Sequence, residues 1–433
     1  MKIAFHTMGC KVNQFDTAVM EELTRKADHT IVPFGQPADV YVINTCSVTE
    51  TSDQESRRLV RKVKRSHPEA KVVVTGCYAQ THPEELVKIQ GIDLILGNHE
   101  KLSLADYLGG CDKADGPILN VAAPFSQTPL AQPMIRKFSG HTRMFLKIQD
   151  GCDSQCSFCL IPRARGAGRS LMPEKVVEQV VVLVEEGFQE LVLTGVNLGT
   201  YGRDFSPKQS LVGLLRLLLD RTRIPRIRLS SLEPKTVTPE LIEWMESSER
   251  ICRHFHIPLQ SGDDRILKEM NRHYTQEYYR RLILSLAERF PKAGFGTDVM
   301  VGFPGETEAE YRNTYELLEE LPMSYFHVFP YSRRPKTAAA DMADGVPKSK
   351  KEDRADALRR LSAEKGRHFS ESHIGQDLQI LVEKERDPET GLLKGLSDNY
   401  IKVLLPGPDV LMNRILPIRI ADVDEKTVTA RLC

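Results

Sequence analysis

The chain has no long apolar segment and no net charge. Nowhere do about 18 apolar residues follow one another, which excludes a transmembrane helix, and the first residues contain no apolar signal-peptide core. We therefore expect a cytoplasmic protein without a membrane partner. Its 59 Lys and Arg residues balance 59 Asp and Glu residues, so a polyanion would have to be held by local basic patches.

Cysteine is comparatively frequent. Nine cysteines occur in 433 residues, and six of them stand in motifs suited to metal. This usage fits a reducing compartment better than a disulfide framework. The pattern assigns no role to Cys111, Cys252 and Cys433, which we expect to be ordinary core or tail residues.

Three of the cysteines, Cys152, Cys156 and Cys159, lie close together after the apolar run 144–148. Their spacing supplies three thiolates from one short loop and no fourth. A [4Fe-4S] cluster held by three cysteines keeps one iron free for a substrate or cofactor. A structural zinc site is the alternative, but it needs further Cys or His ligands, and none follows within reach. The spacing therefore favours an iron-sulfur cluster that takes part in chemistry.

The aromatic Phe158 directly precedes the last of these cysteines, and the loop resembles that of the radical S-adenosylmethionine (SAM) enzymes. The resemblance implies that SAM binds the open iron and that one electron from the cluster cleaves it. The product is a 5'-deoxyadenosyl radical able to attack unactivated C–H bonds. Cys152, Cys156 and Cys159 would then be the catalytic, cluster-binding residues, with Phe158 as a cofactor contact.

The first 110 residues repeat one pattern, in which an apolar strand leads to a cysteine and then to an amphipathic helix. The cysteines are Cys10, Cys46 and Cys77. Alternating strands and helices predict a parallel sheet, and open α/β sheets bind ligands at the carboxyl ends of their strands. The pattern thus predicts a second three-cysteine cluster with one iron unfilled. Three buried thiols that end three strands by chance are the alternative.

Composition allows two or three domains, and we expect an α/β protein of five segments. These are an N-terminal parallel α/β domain (1–110), a proline-containing linker (111–142), an open (β/α)6 barrel (143–347), a basic helix (348–371) and a small β-barrel (372–433). Radical SAM enzymes typically have such a partial barrel.

Polar and glycine residues follow the later barrel strands and predict a wall for the cofactor. Glycine lets the backbone approach a ligand, and Asn, Ser, Glu and Gln can bond a ribose, an amine or a carboxylate. The residues are Gly195, Asn197, Ser230, Glu233, Gln260 and Gly302.

The order of these segments resembles the methylthiotransferases over essentially the full chain, and the last segment resembles the RNA-associated TRAM domain of that family. The stretch Gly-Cys-Lys-Val-Asn at 9–13 is most similar to the branch that acts on N6-threonylcarbamoyladenosine in tRNA. The resemblance implies addition of a methylthio group to C2 of this base, which follows the anticodon. It also implies two [4Fe-4S] clusters, SAM, a sulfur source and an electron donor such as flavodoxin or ferredoxin.

Three alternatives stay open. One is an enzyme for isopentenyladenosine in tRNA, whose branch tends to read Gly-Cys-Gln-Met-Asn. Another is an enzyme for a ribosomal-protein side chain, whose branch reads Gly-Cys-Pro-Lys-Asn. The third is an iron-sulfur protein that binds RNA or senses redox state without turnover, which would not require the polar barrel wall.

Basic runs at 57–65, 163–169 and 333–336 are candidate tRNA contacts, although such runs are often only solvated helix faces. Arg163, Arg165 and Arg169 lie closest in sequence to the cluster loop. Because arginine pairs with a carboxylate through two hydrogen bonds, we expect them to bind the threonylcarbamoyl group. The small β-barrel is slightly acidic, so either a minority face of it or the basic helix and the run 57–65 has to contact phosphates.

Overall fold

The computed structural model describes residues 1–109, 116–124, 130–138, 140–343, 345–425 and 427–433. Cys111 lies outside these ranges. The described chain forms a parallel sheet, an open barrel of parallel strands and a closed small barrel, in that order. This confirms the predicted α/β class and its three-part architecture. None of the described helices is both long and apolar enough to cross a bilayer.

The N-terminal sheet has six parallel strands, where the sequence predicted three. The additional strands have three residues each, too few to show a hydrophobic period. In spatial order the strands are Thr30–Val32, Lys2–Thr7, Val40–Thr45, Lys71–Gly76, Leu94–Leu96 and Ile118–Asn120. Helices Lys11–Lys26, Glu50–Ser66, Cys77–Thr81, Pro83–Leu86 and Leu104–Leu108 connect them or cover the sheet. Burial on both faces explains why Val40–Thr45 is buried at every residue.

The central barrel has six parallel strands in two sets of three, bridged between Ile227 and Ile251. The strands are Met144–Lys147, Glu190–Thr194, Arg226–Leu229, His254–His256, Gly294–Val301 and Tyr325–Pro330. Its main helices are Pro173–Glu185, Leu211–Arg221, Pro239–Glu246, Asp264–Glu269, Gln276–Arg289 and Glu308–Glu320. Five of these begin at a side-chain cap that accepts a backbone N–H, namely Ser210, Thr238, Asp263, Thr275 and Thr307.

Helix Lys348–Glu371 packs on the last barrel strand. A closed five-stranded barrel follows, with strands Asp377–Arg386, Leu393–Ser397, Lys402–Leu405, Ile415–Val423 and Val428–Leu432.

The small barrel docks on the amino ends of the central barrel strands. Arg228 donates to the carbonyls of Ser397 and Asp398, both at 2.9 Å, and Arg226 donates to Leu396 at 2.9 Å. Glu190 pairs with both arginines. Because these contacts occupy the amino ends, the carboxyl ends of the strands stay available for the site.

Candidate active site

The three N-terminal cysteines lie together at the carboxyl edge of the sheet. Cys46 and Cys77 directly follow two neighbouring strands, and Cys10 precedes the helix after a third. Gly76, at φ 95°, turns the chain into Cys77. A Cβ there would lie 2.4 Å from the Thr45 carbonyl oxygen, so only glycine fits. The topology therefore brings together cysteines that are more than 30 residues apart in sequence.

The second triad is held by a loop whose sulfurs accept hydrogen bonds. The backbone N–H of Ser154 donates to Cys152 Sγ and that of Ile161 to Cys159 Sγ, both at 3.4 Å. Arg272 Nη1 donates to Cys156 Sγ at 3.3 Å. Donors of this kind stabilise negative charge on sulfur and tune cluster potentials.

The thiols of each triad lie within one another's electrostatic field. Burial, and then the neighbouring Cys77 and Cys10, raise the pKa of Cys46 to about 12. Burial, with Cys156 and Cys152 adding to it, raises the pKa of Cys159 to about 12. A metal ion bound among such thiols would deprotonate them outright and offset their mutual repulsion. Both donor sets therefore fit an iron-sulfur cluster.

One cavity of about 390 Å³ joins the two triads. Its wall contains Cys10, Cys46 and Cys77 on one side and Cys159 with Phe158 on the other. Among the predicted cofactor residues, Gly195, Ser230 and Gln260 line the same cavity. The hydroxyl of Ser230 is buried without a hydrogen-bond partner among the described residues, as expected of a group that awaits a ligand.

A second cavity of about 690 Å³ lies on the other side of the cluster loop. Cys156, Asn197, Glu233 and Arg272 line it. Asn197 directs its amide nitrogen to Cys152 Sγ at 3.9 Å, and its buried Oδ1 has no partner in the described structure. Gly302 lines neither cavity; its N–H donates to Glu306 at 2.7 Å. The structure thus gathers five of the six strand-end residues around the cluster loop, and leaves out Gly302.

The three predicted substrate arginines have different surroundings. Arg163 is exposed and lines neither cavity. Arg165 lines the shared cavity, but its guanidinium is bound to Asp150, Asn13 and Asp16 at 2.6–3.2 Å. Arg169 is buried, with Nη2 3.9 Å from Asp150. The structure does not bring the three together as one carboxylate site.

Sequence reasoning missed a buried charge network between the two halves of the site. Asp16, on the first helix, accepts from Lys101 at 2.6 Å and from Arg165 at 3.1 Å, and also pairs with Lys147. Burial raises the pKa of Asp16, but the three cations outweigh it and hold that pKa well below its ordinary value. The network fixes the sheet to the barrel. No local motif indicates it, because its partners are up to 149 residues apart.

Two further side chains tie the halves together at the cavity. Asn98 follows strand Leu94–Leu96 and donates to the Ala164 carbonyl at 2.8 Å, with its amide 4.0 Å from Cys77 Sγ. The strand-end rule could have identified it. Arg334, which lines the shared cavity, donates to Ser47 Oγ at 2.7 Å and pairs with Asp53. These contacts bring the N-terminal triad and the barrel triad to one cavity.

Comparison with known proteins agrees with this architecture. Residues 2–97 match the family described as "Uncharacterized protein family UPF0004", and residues 146–318 match the radical SAM superfamily. The structure resembles a radical SAM methyltransferase, TsrM from Kitasatospora setae, with a TM-score of 0.59 and 16% identity over 78% of this chain and 77% of that chain. That likeness shows a shared fold.

Three relatives match nearly end to end. The threonylcarbamoyladenosine tRNA methylthiotransferase MtaB of Bacillus subtilis is 39% identical, over 96% of this chain and 93% of the relative. The protein of that name from Aquifex aeolicus is 41% identical, over 94% and 97%. A tRNA-2-methylthio-N(6)-dimethylallyladenosine synthase of Pelotomaculum thermopropionicum is 32% identical, over 95% and 93%. The chain belongs to the radical SAM methylthiotransferase family, as its sequence motifs predicted.

Proposed function

We propose that this protein adds a methylthio group to C2 of N6-threonylcarbamoyladenosine, at the tRNA position after the anticodon. The shared cavity carries the proposal, because it brings a second set of three thiols to the barrel triad. An enzyme that only generates a radical needs one open cluster. A second open set is explained if it carries the sulfur to be inserted. The relatives named MtaB support the choice of base.

Membership of the radical SAM superfamily implies SAM and a [4Fe-4S] cluster. We propose two clusters, one held by Cys152, Cys156 and Cys159 and one by the N-terminal triad. When bound, they would supply the electron for SAM cleavage and a site for the sulfur. Asn197, Ser230 and Glu233 have polar groups suited to the amine, carboxylate and ribose of SAM, and Phe158 offers an apolar face. Gly195 and Gln260 complete this wall. We assign Gly302 no direct contact with SAM, because it lines neither cavity and its N–H is bound to Glu306.

The partners follow from this chemistry. A tRNA is the substrate, an electron donor such as flavodoxin or ferredoxin reduces the barrel cluster, and a separate source replaces the inserted sulfur. We assign sulfur transfer to segment 1–110, joined by the linker 111–142 to radical generation in segment 143–347. We assign tRNA binding to helix 348–371 and the barrel 372–433, with additional contacts from helix Glu50–Ser66.

The test is mass spectrometry of nucleosides from matched tRNAs treated with the reconstituted, reduced enzyme and SAM. We expect 2-methylthio product on tRNA that carries threonylcarbamoyladenosine and little on unmodified adenosine. Preference for an isopentenyladenosine tRNA would place the protein in the other tRNA branch. Failure to form 5'-deoxyadenosine with any tRNA would favour a non-catalytic iron-sulfur protein.

A further inference from the structure

The shared cavity contains one cation that no acid among the described residues neutralises. Its cationic lining residues are Lys11, Arg165 and Arg334. Arg165 is bound to Asp150 and Asp16, and Arg334 is bound to Asp53. The ammonium of Lys11 forms no hydrogen bond or ion pair with the described residues. The two arginines therefore hold the protein together, while the ammonium of Lys11 is available.

No carboxylate in the described lining of the cavity competes for Lys11. The acidic side chain in the lining is Asp298, which already accepts from His256 and His327, both at 3.1 Å. The first turn of helix Lys11–Lys26 contains no acidic residue. A cation that faces a cavity without a counter-charge is a ready site for an anionic group of a ligand.

The backbone of Lys11 is held firmly beside the sulfur-carrying triad. Lys11 directly follows Cys10, and Asn13 in the same turn donates to the carbonyls of Met8 at 3.0 Å and Thr45 at 2.8 Å. Asn13 also accepts from Arg165 at 2.6 Å. The side chain of Lys11 is therefore flexible, but its backbone position beside the triad is fixed.

The charge of Lys11 acts on the barrel interior. The pKa of His254 lies well below its ordinary value, first because of burial and then because of Arg228, His256 and Lys11. His254 belongs to the fourth barrel strand, so the charge of Lys11 contributes to the electrostatic potential inside the barrel.

We propose that Lys11 binds the carboxylate of the threonylcarbamoyl group and so determines which tRNA base the enzyme accepts. The inference rests on the proposed function. The carboxylate projects from N6, and N6 is separated from the reacting C2 by N1 and C6 of the same ring. A base whose C2 faces the sulfur carrier therefore holds its carboxylate near that carrier, where Lys11 stands. An isopentenyl group is uncharged and would gain nothing from this lysine.

The alternative is that Lys11 only balances negative charge on the neighbouring cluster. The two roles differ in whether the loss of activity depends on the substrate. Loss of a charge-balancing lysine alters the cluster and affects all substrates equally. Loss of a carboxylate partner affects only the acid, by about ten- to a hundredfold, the range for a hydrogen bond to a charged group.

The experiment uses three anticodon stem-loops that differ at one base: threonylcarbamoyladenosine, its neutral carboxamide, and adenosine. For the holoenzyme we expect kcat/KM for the acid to exceed that for the carboxamide by about ten- to a hundredfold. In Lys11→Met this advantage should disappear because the value for the acid falls towards that for the carboxamide, and in Lys11→Arg most of it should remain. Fluorescence anisotropy without SAM should show the same order of affinities.

Controls separate the possible failures. Lys26→Met removes a 57% exposed lysine at the far end of the same helix and should change nothing. Iron content and SAM cleavage are measured for every variant. If wild-type enzyme treats acid and carboxamide alike, or Lys11→Met lowers both equally, the role of Lys11 is refuted while the proposed function stands. If wild-type enzyme modifies none of the stem-loops, the proposed function fails, and the inference with it. The comparison of acid and carboxamide in the wild-type enzyme can refute the role of Lys11 even if a variant fails to fold.

Discussion

Arg272 donates a hydrogen bond from Nη1 to Cys156 Sγ across 3.3 Å, and its Nη2 pairs with Glu233. Its side chain is only 6% exposed, so its charge acts on the sulfur with little screening by water. A fixed cation at one cluster ligand favours the reduced, more negative form of a bound cluster. Glu233 orients that cation and lines the adjacent cavity.

Replacing Arg272 by Met should lower the reduction potential of the barrel cluster, so that a given electron donor reduces a smaller fraction of it and SAM cleavage becomes slower. A charge-assisted hydrogen bond of about 1.5 kcal/mol corresponds to about 60 mV for a one-electron couple. An EPR-monitored redox titration measures the shift. Arg272→Lys retains the charge and should show a smaller change. An unaltered potential in Arg272→Met would mean that this hydrogen bond only positions the loop.

Iron content should report the two triads separately. Fully reconstituted protein should hold about eight iron atoms if both triads bind cubes. Replacing Cys10, Cys46 and Cys77 together by Ala should leave about four, because the barrel triad has its own loop. Cys433→Ser removes an exposed cysteine outside both triads and serves as the control. Iron content that does not fall in the triple variant would rule out the second cluster.

The two proposed clusters should have separable roles. Cys156→Ala should abolish reductive cleavage of SAM, measured as 5'-deoxyadenosine. Cys46→Ala should leave cleavage measurable and lose the methylthio product, since that thiol lies in the other triad. Loss of cleavage in Cys46→Ala, with the barrel cluster still visible by EPR, would contradict this division.

The grouping of six cysteines into two triads could be predicted, because it follows from the order of parallel strands and from one short loop. The carboxyl ends of parallel strands lie at one edge of the sheet, and three cysteines in a short loop are compatible with few kinds of metal site. The central barrel and the last long helix also have periodic patterns long enough to recognise. Strands of three residues, such as Thr30–Val32, lack such a pattern and were missed.

The surroundings of the charged residues could not be predicted in this way. Arg165 is close to the cluster loop in sequence, which suggested a substrate contact, but Asp16 lies 149 positions earlier and binds it in the folded chain. Conversely, Lys11 stands out only once the partners of Arg165 and Arg334 are known. Which cation stays available is a property of the complete set of tertiary interactions.

The buried network predicts a structural role for Asp16. Asp16→Asn should lower the free energy of unfolding by about 3–5 kcal/mol, because it leaves Lys101 and Lys147 buried without a full counter-charge. Since the pKa of Asp16 is depressed in the folded protein, its contribution should be complete above about pH 4 and decrease as the pH falls below that. Thermal unfolding by circular dichroism measures both effects. Asp356→Asn breaks an exposed pair with Arg359 and should change stability by less than about 1 kcal/mol.

The last prediction concerns the contacts between the protein and tRNA phosphates. Within the run 57–65, Arg57 pairs with Glu85 and Lys64 with Asp93. The remaining cations, Arg58, Arg61, Lys62 and Arg65, are exposed and form no ion pair within the described structure. Their spacing of i, i+3, i+4 and i+7 places them on one face of helix Glu50–Ser66. The helix begins next to Thr49, which lines the shared cavity, so the helix that carries this face starts at the cavity wall.

We expect the change of these four residues to Gln to weaken binding of all tRNAs alike and to leave SAM cleavage intact. The slope of log affinity against log salt should become shallower by roughly 0.7–0.9 for each phosphate that is no longer neutralised. A matched variant removes four exposed cations that are already paired with acids and lie outside the proposed tRNA-binding elements, namely Lys26, Lys175, Arg216 and Arg281. It removes the same amount of charge, so a pure net-charge effect would weaken both variants equally. An unchanged affinity and salt slope in the Gln variant would instead leave the phosphate contacts to helix Lys348–Glu371 and the small barrel.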